Sequence, residues 1–174
     1  MPLKLPVPDL IVRDIYALSP ESLNALGIKL LLLDLDNTLA SYTSGMQPSV
    51  RLRNWIDALC RAGIEPFIFS NSRGRRARAF SEALSVGFLA RAKKPGTRAL
   101  RRVLAQKAVA PVHAALVGDQ IYTDVLCAKQ AGVFSVAVEP IDLSNPVYRV
   151  RYWAELPFRS AYQRKKQLQG RSES

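Results

Sequence analysis

Short apolar runs alternate along the chain with segments whose apolar residues recur at helical spacing. Runs of four to six residues rich in Leu, Ile, Val and Phe occur five times, at residues 30–33, 65–70, 86–90, 114–117 and 134–138. Such runs are typical of strands buried on both faces of a sheet. The pattern therefore predicts five strands, of which the third carries the weakest signal.

Helical patterns fill the intervals between these runs, at residues 50–62, 75–84, 97–107 and 124–131. An earlier helix is indicated by Ser19 as its N-cap, Pro20 at its first position and Gly27 just beyond its end. Strands that alternate with helices of this length form βαβ units. The pattern therefore predicts a doubly wound, Rossmann-like α/β fold around a mainly parallel five-stranded sheet.

The length of 174 residues suits one domain, which we place at residues 1–143, followed by a basic aromatic extension at 144–174 that we expect to be partly flexible. Prolines interrupt the first eight residues, where a signal peptide has a continuous apolar stretch. No run approaches the ~20 apolar residues of a membrane span. We therefore expect a cytoplasmic protein. Cys60 and Cys127 lack zinc-site spacing, and we expect both thiols to be buried.

Polar residues follow the predicted strands at the positions where a doubly wound sheet binds its ligands. They come from four separate segments of the chain, which parallel strands bring to one edge of the sheet. The candidate site residues are Asp34, Asp36, Thr38, Ser70, Asn71, Lys93, Lys94, Asp119 and Asp124. This convergence is more specific than any one of the four motifs.

These residue types suit phosphoryl transfer. Asp34 and Asp36 share one side of the chain if strand geometry continues to them, and Asp119 adds a third carboxylate of the kind that Mg²⁺ prefers. One aspartate can attack phosphorus while the other protonates the leaving alcohol and then activates water. An EF-hand calcium loop is excluded, because its sixth and twelfth positions would be Leu39 and Gly45 instead of Gly and Glu.

The segments LLLDLDNTL, FIFSNS, AKKPG and VGDQIYTDV resemble, in this order, the motifs of the haloacid dehalogenase superfamily. Over roughly residues 9–140 the chain is similar to the YqeG-type phosphatases of subclass IIIA, and it lacks the Cys/His zinc loop of some relatives. The resemblance implies a Mg²⁺-dependent phosphomonoester hydrolase that works through an aspartyl-phosphate intermediate.

Roles follow from the resemblance, residue by residue. Asp34 would be the nucleophile, Asp36 the general acid/base and Lys94 the lysine that compensates charge on the phosphoryl group. Phosphate contacts would come from Thr38, Ser70, Asn71 and Lys93. Metal contacts would come from Asp34, the backbone carbonyl of Asp36, Asp119 and, through a water, Asp124. The neighbouring Lys93 is barely distinguishable from Lys94 by sequence, and Asp124 fits a helix N-cap almost as well.

Positive charge is concentrated in two stretches. The chain holds 25 Lys and Arg against 14 Asp and Glu, a net charge of +11. Residues 73–107 hold eleven basic residues and one acid, and residues 144–174 hold seven and two. We therefore expect an anionic partner: a phosphorylated substrate, steered inward by the arginines at 73–78, and an anionic membrane surface, where the protein would be peripheral. Aromatic residues of the extension could instead stack on RNA or cover the core of the domain.

The intervals between the motifs leave no room for a cap domain, and the resemblance to superfamily members without caps implies an open site that admits large or membrane-borne phosphates. The similarity of mitochondrial and plastid phosphatidylglycerophosphate phosphatases to this subclass makes that lipid the leading substrate. Two alternatives stay open: a phosphatase for soluble or protein phosphates, and a non-catalytic RNA- or ribosome-binding module. Because no candidate catalytic residue lies in 159–174, removing that segment should spare hydrolysis of a soluble aryl phosphate. The oligomeric state is not indicated.

Overall fold

A computed structural model describes the chain from residue 6 to residue 172, with side chains described as far as residue 167. Residues 1–5, which belong to the predicted domain and its proline-rich start, lie outside the described residues, as do residues 173–174 at the end of the extension. Along the part of the chain that is described, no helix combines the length and the apolar character needed to cross a bilayer.

All strands lie in one sheet. They are β1 (Leu10–Val12), β2 (Leu30–Leu33), β3 (Glu65–Phe69), β4 (Gly87–Leu89), β5 (Ala114–Gly118) and β6 (Phe134–Val138). Their order is β1-β6-β5-β2-β3-β4, and each neighbouring pair is parallel. The doubly wound α/β fold is confirmed, but the predicted strand count of five is wrong. The sixth strand, β1, has three half-buried residues at the sheet edge, which is too short for a periodic signal.

The helices are α1 (Pro20–Ala25), α2 (Val50–Arg61), α3 (Gly74–Leu84), α4 (Arg98–Gln106), α5 (Leu126–Ala131) and α6 (Pro146–Ser172). The hydroxyl of Ser19 caps α1 as predicted, by accepting from the amide of Ser22 at 3.1 Å. A π-helical turn at Ile121–Val125 leads into α5. Single π turns of this kind occur often at functional sites.

The alternating side chains of β2 divide the core into two layers. Leu31 and Leu33 pack with residues of α1, α2 and α3, whereas Leu30 and Leu32 face α4 and α5 on the other side of the sheet. All four leucines are fully buried, which accounts for the continuous apolar run in the sequence. Cys127 is buried as expected, but Cys60 is exposed, because its position on α2 faces away from the sheet.

The predicted extension forms one long helix, α6, in the part of it that the structure describes. This helix packs against β1 and against the π-helical turn before α5. Its inward face carries Glu155 and Arg159, which are buried, while Val147, Val150 and Trp153 on its outward face are exposed. The helix therefore lies against the domain at the carboxyl edge of the sheet, and the proposed boundary at residue 143 stays a prediction.

Candidate active site

Three central strands deliver the candidate residues to adjacent positions. Asp34 follows β2, Ser70 follows β3 and Asp119 follows β5, and β2 lies between the other two strands in the sheet. The amide of Asp34 still donates to the carbonyl of Val117, at 2.9 Å, so the backbone continues strand pairing into the site. The carboxyl ends of parallel strands thus bring these side chains together.

Three buried carboxylates form the centre of this site. An oxygen atom from each of Asp34, Asp119 and Asp124 lies within 4.8 Å of one from each of the others. Burial raises the pKa of Asp34 to about 7, an effect that Lys94 opposes and Asp124 reinforces. Burial also raises the pKa of Asp119, and the charges of Asp34 and Asp124 add to that shift. The raised values mean that the carboxylates repel one another in a water-poor environment.

One buried ammonium group lies among them. Nζ of Lys94 is 2.6 Å from Oδ1 of Asp34 and 2.6 Å from Oδ1 of Asp124, and it donates to the carbonyl of Phe69 at 2.8 Å. Burial disfavours the charged lysine, but the two carboxylates outweigh it and raise the pKa of Lys94. The adjacent Lys93 is exposed. The geometry thus separates two lysines that the sequence barely distinguished.

The charge of the cluster fits a divalent metal ion. Three carboxylates face a single ammonium group, and an unpaired buried carboxylate is costly. The donor atoms that the site offers are all oxygens, which is the ligand type that Mg²⁺ takes. A hard divalent cation held by Asp34, Asp119 and Asp124 would balance this charge.

Asp124 is held in the cluster by the shape of the turn before α5. It lies inside the π-helical turn, whose N-cap is Gln120, and its Oδ2 accepts from the Gln120 amide at 3.2 Å. The alternative interpretation of Asp124 as an N-cap is therefore wrong. Gly118 makes the approach possible, because a Cβ atom at that position would overlap the Asp124 carboxylate.

Two residues predicted to bind phosphate, Thr38 and Asn71, form hydrogen bonds with other site residues, and their contact with phosphate stays a prediction. The hydroxyl of Thr38 accepts from the Asp119 amide at 3.1 Å and donates to Asp119 Oδ1 at 3.4 Å. Asn71 uses both ends of its side-chain amide on the backbone of Lys94, at 2.8 and 3.0 Å. In this structure Thr38 positions Asp119, and Asn71 positions Lys94.

Ser70 lies between β3 and α3. Its side chain is buried at the end of β3, where its hydroxyl accepts from the amide of Ser72 at 3.1 Å. The next helix, α3, begins at Gly74 without a side-chain cap from Arg73. The first amides of α3 therefore receive no hydrogen bond from that side chain. Free amides at a helix N-terminus are the groups that bind anions.

Asp36 lies outside the buried carboxylate cluster. Its Oδ1 pairs with Nη1 of Arg76 at 2.6 Å, and the same guanidinium donates to the Ser41 carbonyl and, at 2.7 Å, to the Ser44 hydroxyl. Arg76 was predicted to steer substrate together with Arg73, Arg75 and Arg78. Those three are exposed, whereas Arg76 is already bound to the predicted acid/base and the loop beyond it.

Sequence reasoning missed three buried polar residues near the site. Asn37 has a φ of +65° and exchanges hydrogen bonds at 2.8 Å with the backbone of Asp142, which ties the loop after β2 to the chain after β6. Glu155 and Arg159 reach the Asp119 segment from α6. Only the spacing of Glu155 and Arg159, four residues apart on a helix, could have suggested that they act together.

The chain is similar to known phosphatases over most of its length. Residues 2–141 match the family described as mitochondrial PGP phosphatase. The probable phosphatase YqeG of Bacillus subtilis (strain 168) is 32% identical over 164 residues, which cover 94% of this chain and 95% of that protein. The chloroplastic phosphatidylglycerophosphate phosphatase 1 of Chlamydomonas reinhardtii is 30% identical over 156 residues, 84% of this chain and 57% of the algal protein.

Solved structures share the fold at lower identity. The cobalt-bound deoxy-D-mannose-octulosonate 8-phosphate phosphatase of Haemophilus influenzae has a TM-score of 0.52 at 20% identity, over 64% of this chain and 68% of that chain. The 3-deoxy-D-manno-octulosonate 8-phosphate phosphatase of Yersinia pestis has a TM-score of 0.53 at 22% identity, over 71% and 70%. At such identities the likeness concerns the fold alone.

Proposed function

We propose a mechanism for this chain, which belongs to the mitochondrial PGP phosphatase family and is a phosphatase of the haloacid dehalogenase superfamily. In this mechanism it hydrolyses phosphate monoesters in two steps through a phosphorylated Asp34. The observation that carries the proposal is the contact of Asp34 with the buried Lys94 inside the carboxylate cluster.

In the first step an oxygen of Asp34 attacks phosphorus, and the bond to the leaving alcohol breaks. Asp36 gives its proton to that alcohol, and Lys94 and Ser70 hold the phosphoryl oxygens as charge spreads over them. In the second step Asp36 takes a proton from water, which attacks phosphorus and releases Asp34 and inorganic phosphate. Arg76 keeps Asp36 beside the cluster between the two steps.

We propose Mg²⁺ as the metal, held by Asp34, Asp119 and Asp124. When bound, it would neutralise a phosphoryl oxygen and the excess negative charge of the cluster. The support is the oxygen-only donor set and the single ammonium group that faces three carboxylates.

The test of the reaction is Mg²⁺-dependent hydrolysis of nitrophenyl phosphate by Asp34→Asn. An amide cannot attack phosphorus, so turnover should fall to background while the fold stays intact. Asp57→Asn, an exposed aspartate on α2, is the matched control and should keep full turnover. Near-wild-type turnover in Asp34→Asn would contradict the assignment of Asp34 as the nucleophile. Asp36→Asn should be more damaging with an alkyl phosphate than with nitrophenyl phosphate, whose leaving group needs little protonation.

The substrate we propose is phosphatidylglycerophosphate, an anionic lipid with a phosphate monoester. The family match and the name of the algal relative support it, as does the absence of room for a cap between the motifs. A phosphate-release screen with Mg²⁺ should compare this lipid in mixed micelles with sugar, nucleotide and peptide phosphates. Preference for a soluble phosphate or a phosphopeptide would replace the lipid. No release from any of them would favour a nucleic-acid-binding role.

A lipid substrate requires the protein to work at an anionic membrane surface, and α6 offers a suitable face. Its exposed apolar side chains include Trp153, which is 62% exposed, and the helix also presents exposed Arg164, Lys165 and Lys166. Tryptophan favours the interface of a bilayer, and each basic residue near an anionic surface contributes about 1 kcal/mol. The protein would therefore bind as a peripheral protein.

Vesicle flotation tests this surface. Wild type should float with vesicles that contain phosphatidylglycerol, stay behind with neutral vesicles, and detach as salt shortens the Debye length below about 8 Å. Trp153→Ser should bind more weakly, and Val50→Ser, an apolar residue on α2 that is 73% exposed, should not. Wild type that ignores anionic vesicles at low salt would contradict the membrane role.

A further inference from the structure

The inward face of α6 carries two buried ionisable residues that the proposed mechanism does not use. Glu155 is 1% exposed and Arg159 is 5% exposed. Both lie beyond residue 141, where the family match ends. Charged side chains are almost never buried to this degree unless they are paired or hydrogen-bonded. Their partners therefore indicate what the helix does.

Arg159 binds the carboxyl ends of two neighbouring strands at once. Its Nη2 donates to the carbonyl of Asp119 at 2.9 Å and to the carbonyl of Val138 at 3.0 Å, while its Nη1 donates to the Glu139 carboxylate at 3.0 Å. Its guanidinium also lies 4.9 Å from the ring centre of Tyr152, two helical turns earlier. The guanidinium thus fixes the backbone of a cluster carboxylate relative to β6.

Glu155 binds the other end of the same segment. Its Oε1 accepts from the amide of Tyr122 at 3.3 Å, at the start of the π-helical turn that contains Asp124. That turn has no side-chain cap of its own, since Gln120 at its N-cap makes no capping bond. A carboxylate at this position satisfies a free amide and suits the positive end of the helix. Glu155 of α6 therefore caps the N-terminus of the π-helical turn.

We propose that Glu155 and Arg159 are positioning residues that together hold the segment 119–124 so that Asp119 and Asp124 meet Asp34. The two residues are four apart and therefore share one face of α6. One fixes the backbone at the first carboxylate, and the other fixes the turn that carries the second. By this inference α6 is part of the catalytic unit. It rests on the proposed function for its metal site and for its kinetic readout, but the metal-binding readout needs no hydrolysis.

The proposal leads to a different expectation for truncation of the extension. A chain that ends before residue 159 loses the guanidinium that binds the Asp119 carbonyl. Removal of residues 159–174 should therefore impair hydrolysis of a soluble aryl phosphate, where the sequence alone led us to expect that it would be spared.

The experiment compares Arg159→Met, Arg159→Lys and Glu155→Gln with Arg149→Met, an exposed arginine of α6, as the control. Mg²⁺ affinity is measured by calorimetry on the full chain without substrate, and the Mg²⁺ concentration for half-maximal turnover is measured with nitrophenyl phosphate. Loss of a residue that orients metal ligands typically costs 10–100-fold in metal affinity or activity. We expect a loss of that size for Arg159→Met, smaller losses for Arg159→Lys and Glu155→Gln, and none for Arg149→Met.

Hydrogen exchange of the Tyr122 amide in metal-free protein is the second readout, and it should accelerate in Glu155→Gln. A merely structural role would lower the melting temperature of Arg159→Met without changing Mg²⁺ affinity in the folded protein, and that result would overturn the inference. If Arg159→Met does not fold, unchanged Mg²⁺ affinity in Arg159→Lys and Glu155→Gln would overturn it equally. If wild type binds Mg²⁺ more tightly than Arg159→Met does but hydrolyses no phosphate monoester, the proposed function fails and this inference stands.

Discussion

Replacement of Lys94 by methionine removes the ammonium group and keeps most of the side-chain volume. The positive charge between Asp34 and Asp124 is then lost. Each of these two carboxylates has an oxygen 2.6 Å from Nζ of Lys94 in wild type. Removal of one partner of a buried ion pair typically costs about 3–5 kcal/mol, because the other charge stays buried without compensation. In a chain of this size 1 kcal/mol lowers the melting temperature by roughly 2–4 °C. We therefore expect Lys94→Met to melt about 6–20 °C below wild type in the absence of metal.

Mg²⁺ should reverse part of this loss. A ligand at 100 times its dissociation constant stabilises a folded protein by about 2.7 kcal/mol. Because the carboxylates of Lys94→Met lack their ammonium partner, the metal should bind them more tightly than in wild type and should raise the melting temperature further. Turnover should nevertheless fall by orders of magnitude, since the lysine contact to the phosphoryl group strengthens in the transition state.

Lys93→Met is the matched control, because it removes the same group from an exposed position one residue away. Its melting temperature should stay close to that of wild type, since exposed substitutions usually change stability by less than about 0.5 kcal/mol. Thermal melts with EDTA and with Mg²⁺, together with nitrophenyl phosphate kinetics, measure all of these effects. Equal losses in both variants, or a larger loss in Lys93→Met, would refute the assignment of the site lysine.

Three further predictions test other parts of the site and fold. Gly118→Ala should weaken Mg²⁺ binding measured by calorimetry, because the added Cβ must displace the Asp124 carboxylate; unchanged affinity would contradict this. Arg76→Ala should lower turnover of alkyl phosphates more than that of nitrophenyl phosphate, whereas exposed Arg75→Ala should alter only KM and its salt dependence. The pKa of Asp9 is lowered because its bonds to Lys129 and Ser135 outweigh burial, so its stabilising effect is present at neutral pH and lost below about pH 4. The free energy of unfolding measured with urea should therefore fall less on acidification in Asp9→Asn than in wild type. The same fall in both proteins would contradict this.

The sequence predicted those features that local patterns encode. The bounds of β2 and β6 were predicted without error, because their apolar runs end abruptly in polar residues. The edge of the sheet that carries the candidate site followed from the alternation of strands and helices, because ligands bind at the carboxyl ends of parallel strands. β1 was missed because a three-residue edge strand needs no apolar alternation. The strand at 114–117 was one residue short, because Gly118 carries no pattern although it completes β5.

Residue types predicted the chemistry of the site better than they predicted its contacts. From the sequence alone, any polar residue that follows a strand is a candidate ligand for phosphate or metal, whether it is an aspartate, a threonine or an asparagine. Their partners depend on side-chain directions that periodicity does not record, so Thr38 bonds to Asp119 and Asn71 bonds to Lys94. Lys93 and Lys94 likewise differ in burial, which is a property of the folded chain that the sequence does not record.

The contacts of α6 show what the composition of the extension could not indicate. Its seven basic residues and its aromatic residues indicated an anionic surface, and composition cannot tell which arginine faces inward. Arg159 reaches Asp119 across 40 residues of sequence, a contact that no local pattern encodes. A buried arginine needs fixed carbonyl partners, and strand ends that carry the proposed metal ligands would need fixed positions. The contact between Arg159 and Asp119 would meet both requirements, so the helix that we propose for the membrane is also the one that we propose to support the site.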